Sequence, residues 1–257
     1  MKALIFDCDG VLADTELDGH LVAFNETFEH FNLPFRWSQD EYARLLAVGG
    51  GKERFIAYIK ENPGLEESLP EPLEDFVLKV HKEKSARYVE RVENGLLPGR
   101  PGVARIIAQA LDAGWKVAVA STSALKSVEA VLTAVIGREQ RERLSGVFAG
   151  DMVPAKKPAP DIYLMAMNVI GVDKENVVIV EDSNTGAKAA AAADTRYIVT
   201  LSTFTVNEEF PNATTVVSNL GEPGEPATIR EGEDVLDNGI VTVESLEKVL
   251  ALPIPTS

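Results

Sequence analysis

The chain has 257 residues, 45% of them hydrophobic, and carries 25 Lys and Arg against 40 Asp and Glu, a formal net charge of −15. That balance argues against nucleic acid and anionic membrane as partners and favours a soluble monomer. One cysteine excludes an internal disulfide and fits a reducing compartment, and no apolar run approaches a membrane span. An anionic ligand must therefore be met by cations gathered locally against the overall field.

The first apolar run, ALIF at residues 3–6, reads as a short buried strand. It opens into FDCDGVLADTE, residues 6–16. Side chains alternate along an extended chain, so Asp7 and Asp9 are expected on one side and Cys8 on the other. Residues 15–96 contain no convincing strand. Helical periodicity covers 17–31, 39–46, 52–61 and 72–93, far more than the dozen or so residues a crossover needs. An all-helical domain is therefore expected at 15–96, inserted as a lid into an α/β core made of 1–14 and 97–257. In that core the strand patterns KVAVA (116–120), GVFA (146–149), VVIV (177–180), YIVT (197–200) and a weaker TVV (215–217) alternate with helices at 103–113, 124–136, 160–170 and 185–193. Continuous apolar strands between helices indicate a doubly wound parallel sheet covered on both faces. GEPGEP (221–226) reads as linker, and 243–250 as a closing helix.

Ligands of such sheets bind beyond the carboxyl ends of the strands. The residues found there are Asp7 and Asp9, then Ser121, Thr122 and Ser123, then Lys156 and Lys157, then Glu181 and Asp182. Singly these are a turn, a helix cap and a solvated surface; together, at matched strand ends, they form a candidate site. In the helical region, VGGGKER (48–54) runs three glycines into a helix start carrying Lys52 and Arg54. Free N–H groups at Gly50 and Gly51 backed by two cations suit an anion, though a plain interhelical loop would look the same. Glu16 and His20, four apart, are expected on one helical face turned toward the acid pair, with hydrogen-bonding groups to offer a ligand. Arg100 either reaches a distal phosphate or caps a turn.

DxDGV, the hydroxyl after the second strand, KPAP at 157–160 and EDSNTG at 181–186, in that order, resemble the four motifs of the haloacid-dehalogenase superfamily of phosphotransferases. The inserted helices resemble its helical cap. The resemblance implies Asp7 as a nucleophile forming an aspartyl-phosphate and Asp9 as general acid and base. It implies Mg2+ on the Asp7 carboxylate, the Asp9 carbonyl and Asp182, with Glu181 standing behind them. Ser121, Thr122 and Lys157 would hold the phosphoryl oxygens. Cys8 is excluded as a phosphatase nucleophile, because Asp14 stands where that chemistry needs Arg.

The wider set FDCDGVLADTE, GGGKERFIAY, LLPGRPGV, VAVASTS and FAGDMVPAKKPAPDIY is similar to the CbbY-type proteins of photosynthetic organisms. This resemblance implies a sugar-phosphate substrate, xylulose-1,5-bisphosphate, whose hydrolysis clears an inhibitor of Rubisco. It implies a bacterial cytoplasm or, after loss of a transit peptide, a chloroplast stroma. A mutase resembling β-phosphoglucomutase, a phosphatase for another small molecule such as phosphoglycolate, and a non-catalytic metabolite-binding protein are the alternatives.

Overall fold

The structure is a computed structural model that describes residues 1–48 and 50–254; Gly49 of the glycine run and the last three positions of the expected core, 255–257, lie outside the described residues. The chain divides into two compact units, Met1–Asp14 with Leu97–Ser257, and Thr15–Leu96. The first strand, β1 (Ala3–Phe6), is fully buried. It leads into the second unit, which begins with a π-helical stretch, Thr15–Leu21, followed by α1 (Val22–His30), α2 (Gln39–Leu45), α3 (Gly51–Glu61) and α4 (Leu73–Glu93). Its core is aromatic: Phe24, Phe28, Trp37, Tyr42, Phe55 and Phe76 are buried, with the Phe24 and Trp37 rings 4.7 Å apart. Asn25 fixes the backbone of Trp37 through two hydrogen bonds, at 2.9 and 2.8 Å. This buried amide sets the path between α1 and α2 because both its groups are satisfied.

The remaining chain completes the sheet unit with α5 (Val103–Asp112), β2 (Lys116–Ala120), α6 (Leu125–Glu142), β3 (Gly146–Phe148), α7 (Asp161–Ile170), β4 (Val177–Glu181), α8 (Asn184–Ala192), β5 (Arg196–Thr200), β6 (Thr215–Val217), β7 (Ile229–Gly232) and α9 (Val243–Ala251). Among the described residues the sheet has seven strands in the order β3-β2-β1-β4-β5-β6-β7. Strands one to six pair in parallel, with Ala3 opposite both Lys116 and Val177. The chain first winds outward from β1 through β2 to β3, then returns to the other side of β1 at β4. The order reverses between β1 and β4, which is where open α/β sheets bind ligands.

The seventh strand departs from the expected parallel sheet. It pairs antiparallel with β6, and its sequence, IREG, is mostly exposed, so no apolar pattern announced it. Helix α6 continues past the expected end at residue 136 but breaks at Gly137, whose φ of 76° and ψ of 165° are not helical.

Arg100 neither reaches toward a phosphate nor caps one turn. Its guanidinium donates to the Gly10 carbonyl, to the carbonyl and hydroxyl of Thr200 at 3.1 and 2.8 Å, to the Leu201 carbonyl and to the Ser218 carbonyl at 3.0 Å. One planar fork thus ties the turn after β1 to the ends of β5 and β6. Replacing it strands several acceptors at once. Arg100→Met is expected to lower the unfolding free energy by about 3 kcal/mol, with no rescue by Arg100→Lys. Chemical denaturation with unchanged midpoints in both variants would contradict this role.

Candidate active site

Three strand ends and one loop converge on Lys157. Its ammonium donates to Asp7 Oδ1 at 2.6 Å, to Glu181 Oε1 at 2.7 Å and to the Ala120 carbonyl at 3.1 Å. Those three bonds use all three of its donors, and the side chain is 5% exposed. Asp7 follows β1, and its N–H donates to the Val180 carbonyl at 2.9 Å, continuing the pairing with β4. Glu181 ends β4 with no exposed surface. Besides Lys157 it accepts from the Tyr163 hydroxyl and, through Oε2, from the Asp182 N–H at 3.2 Å. Oxygens of Asp7, Glu181 and Asp182 lie within 4.8 Å of one another.

Two glycines make room for these carboxylates. Gly10 has φ of 76°, and a Cβ there would sit 2.0 Å from Asp182 Oδ2. A Cβ on Gly186 would sit 2.0 Å from the Glu181 carboxylate. Neither site has space for any side chain, and Gly10 also needs its left-handed backbone.

Asp9 accepts from the Ser123 hydroxyl at 2.5 Å. Ser121 is buried at the end of β2, and its hydroxyl accepts from the Ser123 N–H at 3.1 Å. Thr122 between them is exposed. Cys8 is 1% exposed, and burial, followed by the charges of Asp9 and Asp7, pushes its thiol well above the usual range. A protonated, buried thiol is inert.

The electrostatics show an acid surplus. Burial, then repulsion from Glu181 and Asp9 against the attraction of Lys157, raises the Asp7 pKa to about 7. Asp182 is raised well above its ordinary value by burial, then by Glu181 and Asp7, with the Ser202 hydroxyl and Arg100 opposing. Burial pulls Lys157 down, yet Asp7 and Glu181 outweigh it and hold the ammonium above its ordinary value. Three buried carboxylates around one lysine are an all-oxygen, negatively charged donor set, which fits a hard divalent cation. Among the described residues no helix is long and apolar enough to cross a membrane.

The helical unit holds the other expected residues. Glu16 accepts from the Tyr42 hydroxyl at 2.5 Å. Arg54 is buried; it donates to that same hydroxyl at 2.7 Å and to the Leu45 carbonyl at 3.2 Å, and its guanidinium lies 3.8 Å from Glu16. Gly50 caps α3 with φ of 90°, and Gly51 begins it. Lys52 is partly exposed beside them, whereas the Arg54 charge is committed inside the unit. His20 pairs through Nδ1 with the Lys84 ammonium at 2.9 Å and stacks on Tyr88 at 4.1 Å.

Three polar residues of these clusters escaped the sequence reading: Tyr163, Tyr42 and Lys84. For Lys84 a signal existed, since Val77, Val80, Lys84 and Tyr88 follow the spacing of one helical face. All three are buried. A lysine on an apolar stripe is a marked residue.

The model of the haloacid dehalogenase-like hydrolase family matches residues 1–194. Protein CbbY of Cupriavidus necator is 41% identical over 88% of this chain and 88% of its own length. A CBBY-like protein of Arabidopsis thaliana is 46% identical over 87% of this chain and 70% of its own. A crystal structure of a mutant CbbY from Rhodobacter sphaeroides in complex with xylulose-(1,5)bisphosphate superposes with a TM-score of 0.69 at 39% identity, covering 87% of this chain and 96% of that one.

A proton balance follows from the raised carboxyls. Without metal the folded state holds Asp7 and Asp182 protonated at pH values where the unfolded chain has released them. Their contribution to stability is therefore full below the unfolded value of about 4 and is lost as pH rises, for Asp7 through about 7. In chelator, the melting temperature of the wild type should fall more steeply toward pH 8 than that of Asp7→Asn, at roughly equal ionic strength. Added Mg2+ should restore more stability at about pH 8 than at about pH 6. A Mg2+ effect independent of pH, or shared by Asp7→Asn, would contradict the assignment.

Proposed function

We propose that this chain, which belongs to the haloacid dehalogenase-like hydrolases and within them to the CbbY-type proteins, is a magnesium-dependent sugar-bisphosphate phosphatase whose substrate is xylulose-1,5-bisphosphate. That it is a phosphatase follows from its family. The observation carrying the rest is the buried Asp7–Lys157–Glu181–Asp182 cluster at the point where the strand order reverses, with Asp9 beside it. The sugar is supported by the related CbbY structure that binds it.

In this reading the Asp7 carboxylate attacks phosphorus, forming an aspartyl-phosphate as the bond from phosphorus to the sugar oxygen breaks. Asp9, oriented by Ser123, gives its proton to the departing oxygen. As a carboxylate it then takes a proton from the water that attacks the same phosphorus, which releases inorganic phosphate and restores Asp7. Lys157 and Ser121 hold phosphoryl oxygens whose charge grows in the transition state. Mg2+ held by the Asp7 carboxylate, the Asp9 carbonyl and Asp182 would supply further neutralisation when bound. Glu181 keeps its oxygens on Lys157, Tyr163 and the Asp182 N–H, and so orients rather than ligates. Glu16, His20, Gly50, Gly51, Lys52 and Arg54 belong to substrate recognition in this proposal. Lys52 at the start of α3 answers the second phosphate, and Arg54 acts through Tyr42 and Glu16. The product, xylulose 5-phosphate, leaves a carbon-fixing cell free of a Rubisco inhibitor.

Phosphate release with Mg2+ from xylulose-1,5-bisphosphate, ribulose-1,5-bisphosphate, β-glucose-1-phosphate and phosphoglycolate tests this directly. The xylulose compound should be hydrolysed fastest and the ribulose isomer spared. Asp7→Asn should lower the rate by at least about a thousandfold. Lys52→Ala should raise KM about tenfold with kcat little changed. Fastest release from a monophosphate would overturn the bisphosphate assignment, and an active Asp7→Asn would overturn the mechanism.

A further inference from the structure

Tyr163 lies at the third position of α7 with no exposed surface. Its hydroxyl donates to Glu181 Oε1, the same oxygen that accepts from Lys157. Its ring lies under the same lysine, with the ammonium 4.7 Å from the ring centroid. One side chain therefore touches both Glu181 and Lys157.

The geometry points to Tyr163 as the positioning residue for Lys157: its hydroxyl locks Glu181, and its ring closes the remaining side of the ammonium, so that the lysine meets the reacting phosphoryl group in one orientation. The inference rests on the phosphatase reading above. When a phosphoryl oxygen replaces Asp7 Oδ1 as a partner of Lys157, two of its bonds, to Glu181 and the Ala120 carbonyl, still anchor it. They anchor it only if Glu181 itself stays fixed. The last torsion of a glutamate is soft, and Gly186 packs against the carboxylate without offering a donor from a side chain. The Tyr163 hydroxyl is the side-chain group besides Lys157 that donates to that oxygen. Without it the long 3.2 Å bond from the Asp182 N–H to Oε2 is what remains beside Lys157, and the carboxylate can turn and draw the ammonium away from the phosphoryl group. The loss falls on the transition state, where charge on the phosphoryl oxygens is greatest.

Tyr163→Phe removes the hydroxyl and keeps the ring in place. It should lower kcat on the sugar bisphosphate about tenfold, as loss of an orienting partner does at comparable sites, with KM within about twofold. Orthovanadate, which takes the pentacoordinate geometry of the transition state, should bind more weakly by the same factor, while inorganic phosphate binds nearly as before. Tyr163→Leu, which also removes the ring, should lose more. Unchanged kcat and vanadate affinity in Tyr163→Phe would overturn the inference, as would a kcat loss that merely tracks the fraction unfolded on heating. A wild type that releases no phosphate from any sugar bisphosphate would overturn the substrate assignment instead. The vanadate ratio between wild type and Tyr163→Phe would then decide the role of Tyr163 by itself.

Discussion

The ammonium of Lys157 sits in a place that water cannot reach well, and it is held there by the carboxyl groups of Asp7 and Glu181. Neither charge is tolerable alone in that setting. Desolvation is the largest influence on Asp7, on Asp182 and on Lys157, and each carboxylate adds repulsion for the next. The cluster is therefore electrostatically incomplete. One lysine answers three buried acids, and this surplus of carboxyl oxygens fits a divalent cation. The chain's overall charge of −15 makes this local arrangement more telling, since the site must reverse the surrounding field before an anionic substrate can enter.

Much of the sheet unit serves to bring these groups together at fixed distances. β1 and β4 pair in register from Ala3 opposite Val177 to Phe6 opposite Val180, so Asp7 and Glu181 emerge side by side. Gly10 and Gly186 remove the side chains that would otherwise occupy the carboxylates' space. Arg100 gathers carbonyls from three loops behind them. The helical unit uses related chemistry on its own account. There Tyr42 mediates between Glu16 and Arg54, and His20 rests between Lys84 and Tyr88. Burial, then the neighbouring Lys84 charge, holds the His20 pKa well below its ordinary value, which keeps it neutral. A neutral imidazole can share a hydrogen bond with an ammonium where an imidazolium would repel it.

What the sequence made legible follows from how strongly each element is patterned. VVIV and KVAVA, apolar throughout, can only be strands buried on both faces, and the acids immediately beyond them were readable as a site because strand ends share one edge. The polar IREG strand carried no such signal, since it completes the sheet by backbone pairing with one neighbour and leaves its side chains in solvent. Gly137 interrupts a helix whose periodicity runs through it. Arg100 and Arg54 look like free cations in the sequence, because nothing local shows that their partners are distant carbonyls and a tyrosine. Tyr163 looks like an ordinary core aromatic, and only the fold reveals that its hydroxyl ends on Glu181.

In the proposed reaction Asp7, poised between Lys157 and the acids of β4, is the group that takes the phosphoryl. Rapid acid quenching of the enzyme during turnover of a sugar bisphosphate with Mg2+, followed by peptide mass analysis, tests this most directly. A phosphoryl group is expected on the peptide containing Asp7, lost in alkali as an acyl phosphate is, and absent from Asp7→Asn. Steady turnover with no phosphorylated Asp7 at any quench time, or a phosphoryl group on another residue, would contradict it.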